Sequence, residues 1–328
     1  MELVRRAALV ALSCLAGFAT TATAQPDLSR HTGITVADTG APGWRFEQFR
    51  LDSADAQRHY RVRVALPQVD APANGFASAW LLDGNAALME TPAELLADLA
   101  RTPHPPVIVY IGYDNDLRID ADARAFDYTP RRPGGDEAQR DFHPDRRNGG
   151  ADAFLDLIER DIAPRVAALT KLDPSQRTLW GHSYGGVPVL HALFARPQMF
   201  TGYAAADASL WWGDGYLLRE EKAAAALPAP RVRVHLWAGE DDRAASPPDS
   251  NSARNPQRDS GRDPAVVDAM RSARASVPPD AAARMAERLR TRGIDVTFET
   301  LPGAAHGQTL GESLRRLLIG LAQEDDSP

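Results

Sequence analysis

The chain is almost without cysteine: Cys14 is the only one in 328 residues. It lies in the N-terminal apolar run, so the remainder can form neither a disulfide nor a cysteine–zinc site. Positive charge is also in the minority. Against 44 Asp and Glu stand 37 Lys and Arg, a formal charge of −7. This excess argues against nucleic acid or an anionic membrane as a bulk partner. It leaves room for a local basic pocket that takes an anionic ligand. The N-terminal run Ala7–Ala19 is too short to span a bilayer comfortably. It follows Arg5 and Arg6 and ends in Ala22-Thr23-Ala24, the pattern of a cleaved signal peptide. Cleavage is expected before Gln25, giving a periplasmic or secreted chain of 304 residues with no stable membrane insertion. A retained anchor is the alternative. Lipidation at Cys14 would need a better match than Ala11-Leu12-Ser13-Cys14. Without disulfides the exported chain must rely on its hydrophobic core, and 304 residues can bury a large one.

No internal repeat is present, and no linker separates two independent cores, so residues 25–328 read as one domain. Short apolar runs alternate with helical patterns, which predicts an α/β fold: a mostly parallel central sheet with helices on both faces. Trp44–Leu51 and the alternating Tyr60–Leu66 predict early, half-exposed antiparallel strands. Ala79–Leu82 and Val107–Ile111 are continuous apolar runs, as buried parallel strands should be. Further strands are expected at Arg177–Trp180, Tyr203–Ala206, Val232–Ala238 and Val296–Leu301. Helices are expected at Ala151–Leu169, Val187–Phe194 and Leu310–Leu321. Arg131–Gly150 reads as a long surface loop. Asp241–Asp280 reads as a long insertion with one short helical stretch, Ala265–Ala273, and insertions of that length are commonly lids or disordered.

The sharpest motif is Gly181-His182-Ser183-Tyr184-Gly185. It stands directly between a predicted strand and a predicted helix, the context of a nucleophile elbow. Small residues at 181 and 185 let neighbouring chain pass close to the turn, and the helix dipole favours a developing oxyanion. A serine hydroxyl needs a base. His306, in the loop after the last predicted strand, occupies the expected place. His182 packs beneath the elbow, His191 lies inside the elbow helix, His235 lies in a strand, and His104 and His143 precede the serine. The acid should follow the strand Val232–Ala238, where Gly239-Glu240-Asp241-Asp242 offers three carboxylates. Asp242 is favoured, Glu240 is the runner-up, and a Ser-His pair without an acid is the third option. The oxyanion hole is expected from the backbone N–H groups of Tyr184 and of Asn85, with Gly84 close behind. No metal or cofactor is called for.

Leu81-Leu82-Asp83-Gly84-Asn85-Ala86, Ile111-Gly112-Tyr113, Arg124–Pro130, Gly149–Leu155, the elbow, Ala208–Trp212 and Gly303–Gly307 occur in this order. Together they resemble the putative esterases related to enterochelin esterase, most closely the periplasmic siderophore esterases that cut catecholate trilactones. The resemblance implies an α/β-hydrolase fold and hydrolysis of an ester or lactone without metal catalysis. It places the nucleophile at Ser183 and the base at His306. It also implies that Arg124 helps hold an anionic or catechol-bearing substrate, with Trp211 and Trp212 near the pocket. The insertion at Asp241–Asp280 departs from the compact pattern of that family. From the residues alone, Trp211 and Trp212 could equally be core, and Arg124 could pair with Asp122 or Asp127. Two other readings stand beside this one: an exported carboxylesterase on acyl or feruloyl sugars or small esters, and a non-catalytic binding module on a hydrolase scaffold.

Overall fold

In a strand covered on both faces, successive side chains must enter opposite cores. In β3 (Phe76–Leu81) and β4 (Val107–Tyr113) they do so. Phe76, Trp80, Val107, Val109, Ile111 and Tyr113 join one apolar cluster; Ala79, Leu81, Ile108 and Tyr110 join another. The computed structural model describes residues 30–141, 143, 145–224, 227, 231–240 and 264–323, with Val267 described by its backbone alone. The proposed signal segment lies outside these residues.

The remaining strands are β1 (Trp44–Asp52), β2 (His59–Pro67), β5 (Leu172–His182), β6 (Gly202–Ala206), β7 (Arg233–Gly239) and β8 (Asp295–Leu301). All eight form one sheet in the order β1-β2-β4-β3-β5-β6-β7-β8. β2 pairs antiparallel with β1 and with β4, and every other pairing is parallel. The first cluster packs the sheet against helices Ala151–Leu157, Gly186–Ala195 and Ala281–Thr291. The second packs the opposite face against helices Gly84–Met89, Ala93–Leu99 and Thr309–Gln323. This is the α/β-hydrolase fold.

Three elements differ from expectation. β2 is not half-exposed: Val62–Leu66 are buried, Val62, Val64 and Leu66 in the first cluster and Ala65 in the second, whereas its edge neighbour β1 keeps a wet side. The helix expected over Ala151–Leu169 widens to a π turn at Ile158–Ile162. Pro164 follows, and it brings no N–H to the ladder there. The segment Arg131–Gly150 is not simply a surface loop. The buried Gln139 side chain accepts from the Arg132 N–H and donates to the Arg132 carbonyl, pinning the segment at its middle. Of the insertion, residues 264–280 are described, and Pro264–Ala275 is helical.

The sheet order decides where the site falls. β5 is central, and β6, β7 and β8 follow it side by side. The turns that leave their C-terminal ends therefore stand in one row, the edge at which open α/β sheets bind ligands.

Candidate active site

Ser183 follows the last residue of β5 and opens a 3₁₀ turn into the helix Gly186–Ala195. Its φ is 57°, a left-handed conformation that costs a non-glycine residue energy. The turn closes because its flanks are small. A Cβ on Gly181 would sit 2.1 Å from the Gly185 carbonyl oxygen, and one on Gly186 would sit 2.7 Å from the Ala208 Cβ. The strain lifts the hydroxyl clear of the strand. The Ser183 carbonyl is held by the Ser209 N–H at 3.0 Å.

His306 reaches the hydroxyl from β8, three strands away. The loop after Leu301 crosses the end of β7, and the crossing requires glycine: a Cβ on Gly239 would lie 2.6 Å from the Ala304 carbonyl oxygen. His306 Nε2 then lies 2.9 Å from Ser183 Oγ. A neutral imidazole with its proton on Nδ1 accepts the serine proton at this distance.

The carboxylate beside His306 is Asp207, at the C-terminal end of β6. Its Oδ2 is 3.5 Å from His306 Nδ1. Oδ1 accepts the Gly239 N–H at 2.9 Å, and Oδ2 accepts the Thr309 hydroxyl at 2.6 Å. Asp242 lies outside the described residues. Glu240 faces another way and accepts the Gly303 N–H at 3.0 Å, bracing the turn that carries His306. The sequence does carry a signal for Asp207: a lone acid closing the apolar run Gly202–Ala206, just ahead of Ser209. The expected chain order of the three residues directs attention one strand further on.

His182 is buried beneath the elbow, as expected. Its Nε2 is 2.8 Å from the His306 carbonyl oxygen and 2.9 Å from Thr309 Oγ1. Burial, with His306 close by, pushes its pKa well below the usual histidine value, so it is neutral.

The Asn85 side chain is locked into the fold. Its Nδ2 donates to the carbonyls of Tyr113, Asn115 and Leu117 at 3.0–3.2 Å. Gly84 packs on the β4 backbone, where a Cβ would be 2.7 Å from the Tyr110 and Ile111 main chain. The expected donors Gly84 and Asn85 thus open the helix Gly84–Met89, whose first N–H groups have no partner within the helix. The preceding Asp83 N–H is taken by the Tyr128 hydroxyl at 2.8 Å.

Arg124 pairs with neither Asp122 nor Asp127, whose partners are Arg146 and Arg58. Its Nη1 lies 3.2 Å from Asp83 Oδ2. Asp83 is buried, and burial pushes its carboxyl above the usual range against the pull of Arg124. The guanidinium stands 5.5 Å from the Tyr184 ring centre, beside the elbow. Trp211 is 6.3 Å from that same ring, and Arg274, from the described part of the insertion, lies 5.4 Å from the Trp211 ring. Trp212 does not share this position. It is 2% exposed and packed edge-on to Tyr216 in the core, which favours the core reading that its sequence also allowed. Behind the pair, Gly213, Asp214 and Gly215 all adopt left-handed conformations.

A strained serine at a strand–helix turn, with an imidazole at hydrogen-bond distance, is the arrangement of a serine hydrolase. The family model described as "Putative esterase" matches residues 53–267. The chain belongs to this esterase family. Over 305 residues it is 32% identical to an apo-salmochelin esterase of Escherichia coli O6:H1, covering 92% of this chain and 86% of that protein. The solved enterobactin hydrolase IroE in complex with DFP superposes with a TM-score of 0.67 at 30% identity, over 88% of this chain and 99% of that one. The siderophore hydrolase EstB from Aspergillus nidulans gives 0.66 at 25% identity, over 88% and 97%. The chain is accordingly an esterase, a serine hydrolase acting on carboxylic ester bonds of small molecules. Among the described residues, no helix is long and apolar enough to cross a membrane.

Proposed function

We propose that this esterase is exported and opens ester or lactone bonds of a siderophore-like catecholate, with Ser183 as nucleophile and His306 as general base. The observation that carries the reading is the 2.9 Å approach of His306 Nε2 to Ser183 Oγ at a left-handed elbow. Ser183 Oγ attacks the substrate carbonyl as its proton passes to His306 Nε2. The backbone N–H groups of Tyr184 and Asn85 receive the oxyanion. The tetrahedral intermediate collapses, the leaving alkoxide takes the proton from His306, and an acyl-enzyme remains. Water, deprotonated by His306, attacks this ester, and the carboxylic acid departs from a regenerated Ser183.

Relatives named for salmochelin, enterobactin and fungal siderophores support the substrate class. So does the chemistry beside the elbow. Tyr184 and Trp211 offer aromatic faces, and Arg124 and Arg274 lie over those same rings. A guanidinium's planar fork suits acidic catechol oxygens, and Arg124, held at Nη1 by Asp83, offers its remaining donors to them. The apolar run after Arg5-Arg6 supports export. Protein recovered from the periplasm should begin at Gln25, and an intact Met1 by mass spectrometry would refute that.

The deciding experiment is a hydrolysis panel. Iron-free and ferric catecholate trilactones should be turned over at least tenfold faster, as kcat/KM, than feruloyl esters. The reverse ranking would assign the chain to the carboxylesterases of plant-type acyl groups, and silence toward every ester would leave a binding module.

A further inference from the structure

We infer that Asp207 is the residue that orients His306, and that Thr309 and His182 hold Asp207 and the His306 backbone in place for it. This rests on the assignment of Ser183 and His306 above. It places the acid at the end of β6, one strand nearer the nucleophile than Glu240.

The sheet makes this placement economical. Strands lie about 4.8 Å apart, so a side chain at the end of β6 is one step from Ser183 on β5, and one at the end of β7 is two. The imidazole bridges from Ser183 back toward its own strand, β8, and its Nδ1 edge passes above the end of β6. The end of β7 contributes something different. Gly239 lends the N–H that Asp207 Oδ1 accepts, and its missing side chain leaves room for the loop: a Cβ there would also press within 3.3 Å of Asp207 Oδ2. Glu240, the next residue, is occupied by the Gly303 N–H.

Thr309 is the hub. Its Oγ1 lies 2.6 Å from Asp207 Oδ2, 2.8 Å from the His306 carbonyl oxygen and 2.9 Å from His182 Nε2. A hydroxyl has one proton, so the directions follow. The carboxylate takes the Thr309 proton, as a charge-assisted bond. His182, protonated on Nε2, then donates to Thr309 Oγ1 and to the His306 carbonyl. Asp207 Oδ2 keeps a lone pair for His306 Nδ1–H, which leaves His306 Nε2 to accept from Ser183. Every donor in the chain has an acceptor in this one arrangement, and it selects the catalytic tautomer of His306. A neutral His182 also keeps a second positive charge away from the imidazolium that forms during attack.

A metal reading of the same residues fares worse. Ligand atoms of His182, Asp207 and His306 lie within 4.8 Å of one another. The Thr309 hydroxyl already occupies hydrogen-bond distance from the first two, and a cation would have to displace it.

The test compares Asp207→Asn, Thr309→Val, Thr309→Ser, Asp242→Asn and Glu240→Gln in the full chain with a p-nitrophenyl ester. Loss of the orienting carboxylate should lower kcat by about a thousandfold or more through the wrong His306 tautomer, with KM within threefold. The acid limb of the pH profile of kcat/KM should move to lower pH, because the imidazolium loses its counter-charge. Thr309→Val should lose about tenfold with a shift in the same direction, and Thr309→Ser should restore activity to within threefold of wild type. Asp242→Asn should stay within threefold with an unmoved profile, Glu240→Gln should leave the profile unmoved whatever it does to the rate, and EDTA should leave the wild type unchanged. A larger loss in Asp242→Asn than in Asp207→Asn, an unmoved acid limb in Asp207→Asn, or EDTA inactivation would overturn the inference. Labelling with diisopropyl fluorophosphate separates the two levels of the argument. If Ser183 of the wild type is modified and Asp207→Asn is nevertheless fully active, this inference alone fails. If Ser183 is not modified, the nucleophile assignment fails with it.

Discussion

His182 and His191 lie nine positions apart on the same strand–turn–helix unit, both buried, yet the structure holds them in opposite charge states. His182, under the elbow, meets a carbonyl and a hydroxyl, and burial keeps it neutral. His191, one face of the helix away, lies between two carboxylates: Nδ1 is 2.7 Å from Glu220 Oε1, and Nε2 is 3.5 Å from Asp152 Oδ1. Burial lowers its pKa, but the hydrogen bonds and charges of Asp152 and Glu220 outweigh that and push it up to about 9. Two regions of one strand–turn–helix unit thus use histidine differently. The strand-end region links Ser183, His306, Asp207 and Thr309 through short polar contacts. The helix-packing region joins the helix Gly186–Ala195 to Trp212–Ala223 by charge. The partners, not the depth of burial, decide the protonation state.

The comparison can be broken first at the strand ends. Ser183→Ala should lower kcat/KM by several orders of magnitude, as losses of a hydrolytic nucleophile do. The thermal midpoint should stay within a degree or two of wild type, since one hydroxyl at a partly exposed turn is removed. A calorimetric scan beside the kinetic assay checks both. Retained activity within tenfold would transfer the nucleophile elsewhere.

On the other side, Trp212→Ala should act on stability. Removing a side chain this deeply buried costs about 3–5 kcal/mol, read as a lower urea midpoint. Activity per folded molecule should fall far less than in Ser183→Ala. A variant as stable as wild type would mean that Trp212 is not the core residue its 2% exposure makes it.

His191→Gln sharpens the contrast through pH. The folded-state pKa is about 9 and the ordinary value 6.5, so the folded form binds the proton more tightly. The stability contributed by His191 is therefore fully present below pH 6.5 and lost as pH rises through about 9. Removing the cation leaves Glu220 without its partner in a partly buried site and should cost about 2 kcal/mol near pH 6, below the 3–5 kcal/mol of a fully buried broken pair because Asp152 is exposed. Denaturant melts at pH 6 and pH 10 should show the difference between wild type and variant shrinking at the higher pH. A constant gap would place the effect in packing alone.

The smallest effect is expected at Trp211→Ala, which tests whether an aromatic face beside Tyr184 serves the substrate. KM for an aromatic ester should rise about three- to tenfold, a loss near 1 kcal/mol for an aromatic contact, with kcat and the thermal midpoint little changed. An equal rise for a short aliphatic ester would assign Trp211 to shaping the wall instead of stacking.

Much of the fold was legible because its signals are local. Continuous apolar runs marked β3 and β4, and the alternation of Tyr60–Leu66 marked β2 as a strand, though not its burial on both faces. Ser183 was legible for the same reason: an elbow is five residues, and its left-handed turn follows from small residues packed against it. His306 followed from its place after the last strand. The less legible features depend on neighbours distant in the chain. Trp211 and Trp212 are one residue apart and of one type, and only the packed fold shows one beside Tyr184 and the other in the core. Arg124 had two acidic neighbours in sequence, yet it pairs with Asp83, 41 positions away, because β3 and β4 are adjacent in the sheet.

From the sequence alone came the strand and helix alternation, the serine elbow and the histidine that the fold brings to 2.9 Å from it, since each is written in a short window whose backbone preferences act locally. Tertiary structure alone decided which carboxylate stands by His306 and which buried histidine is charged. Both depend on strand order and on helix faces meeting across the sheet, and a pairing energy exists only when the two side chains are brought within a few ångströms of each other.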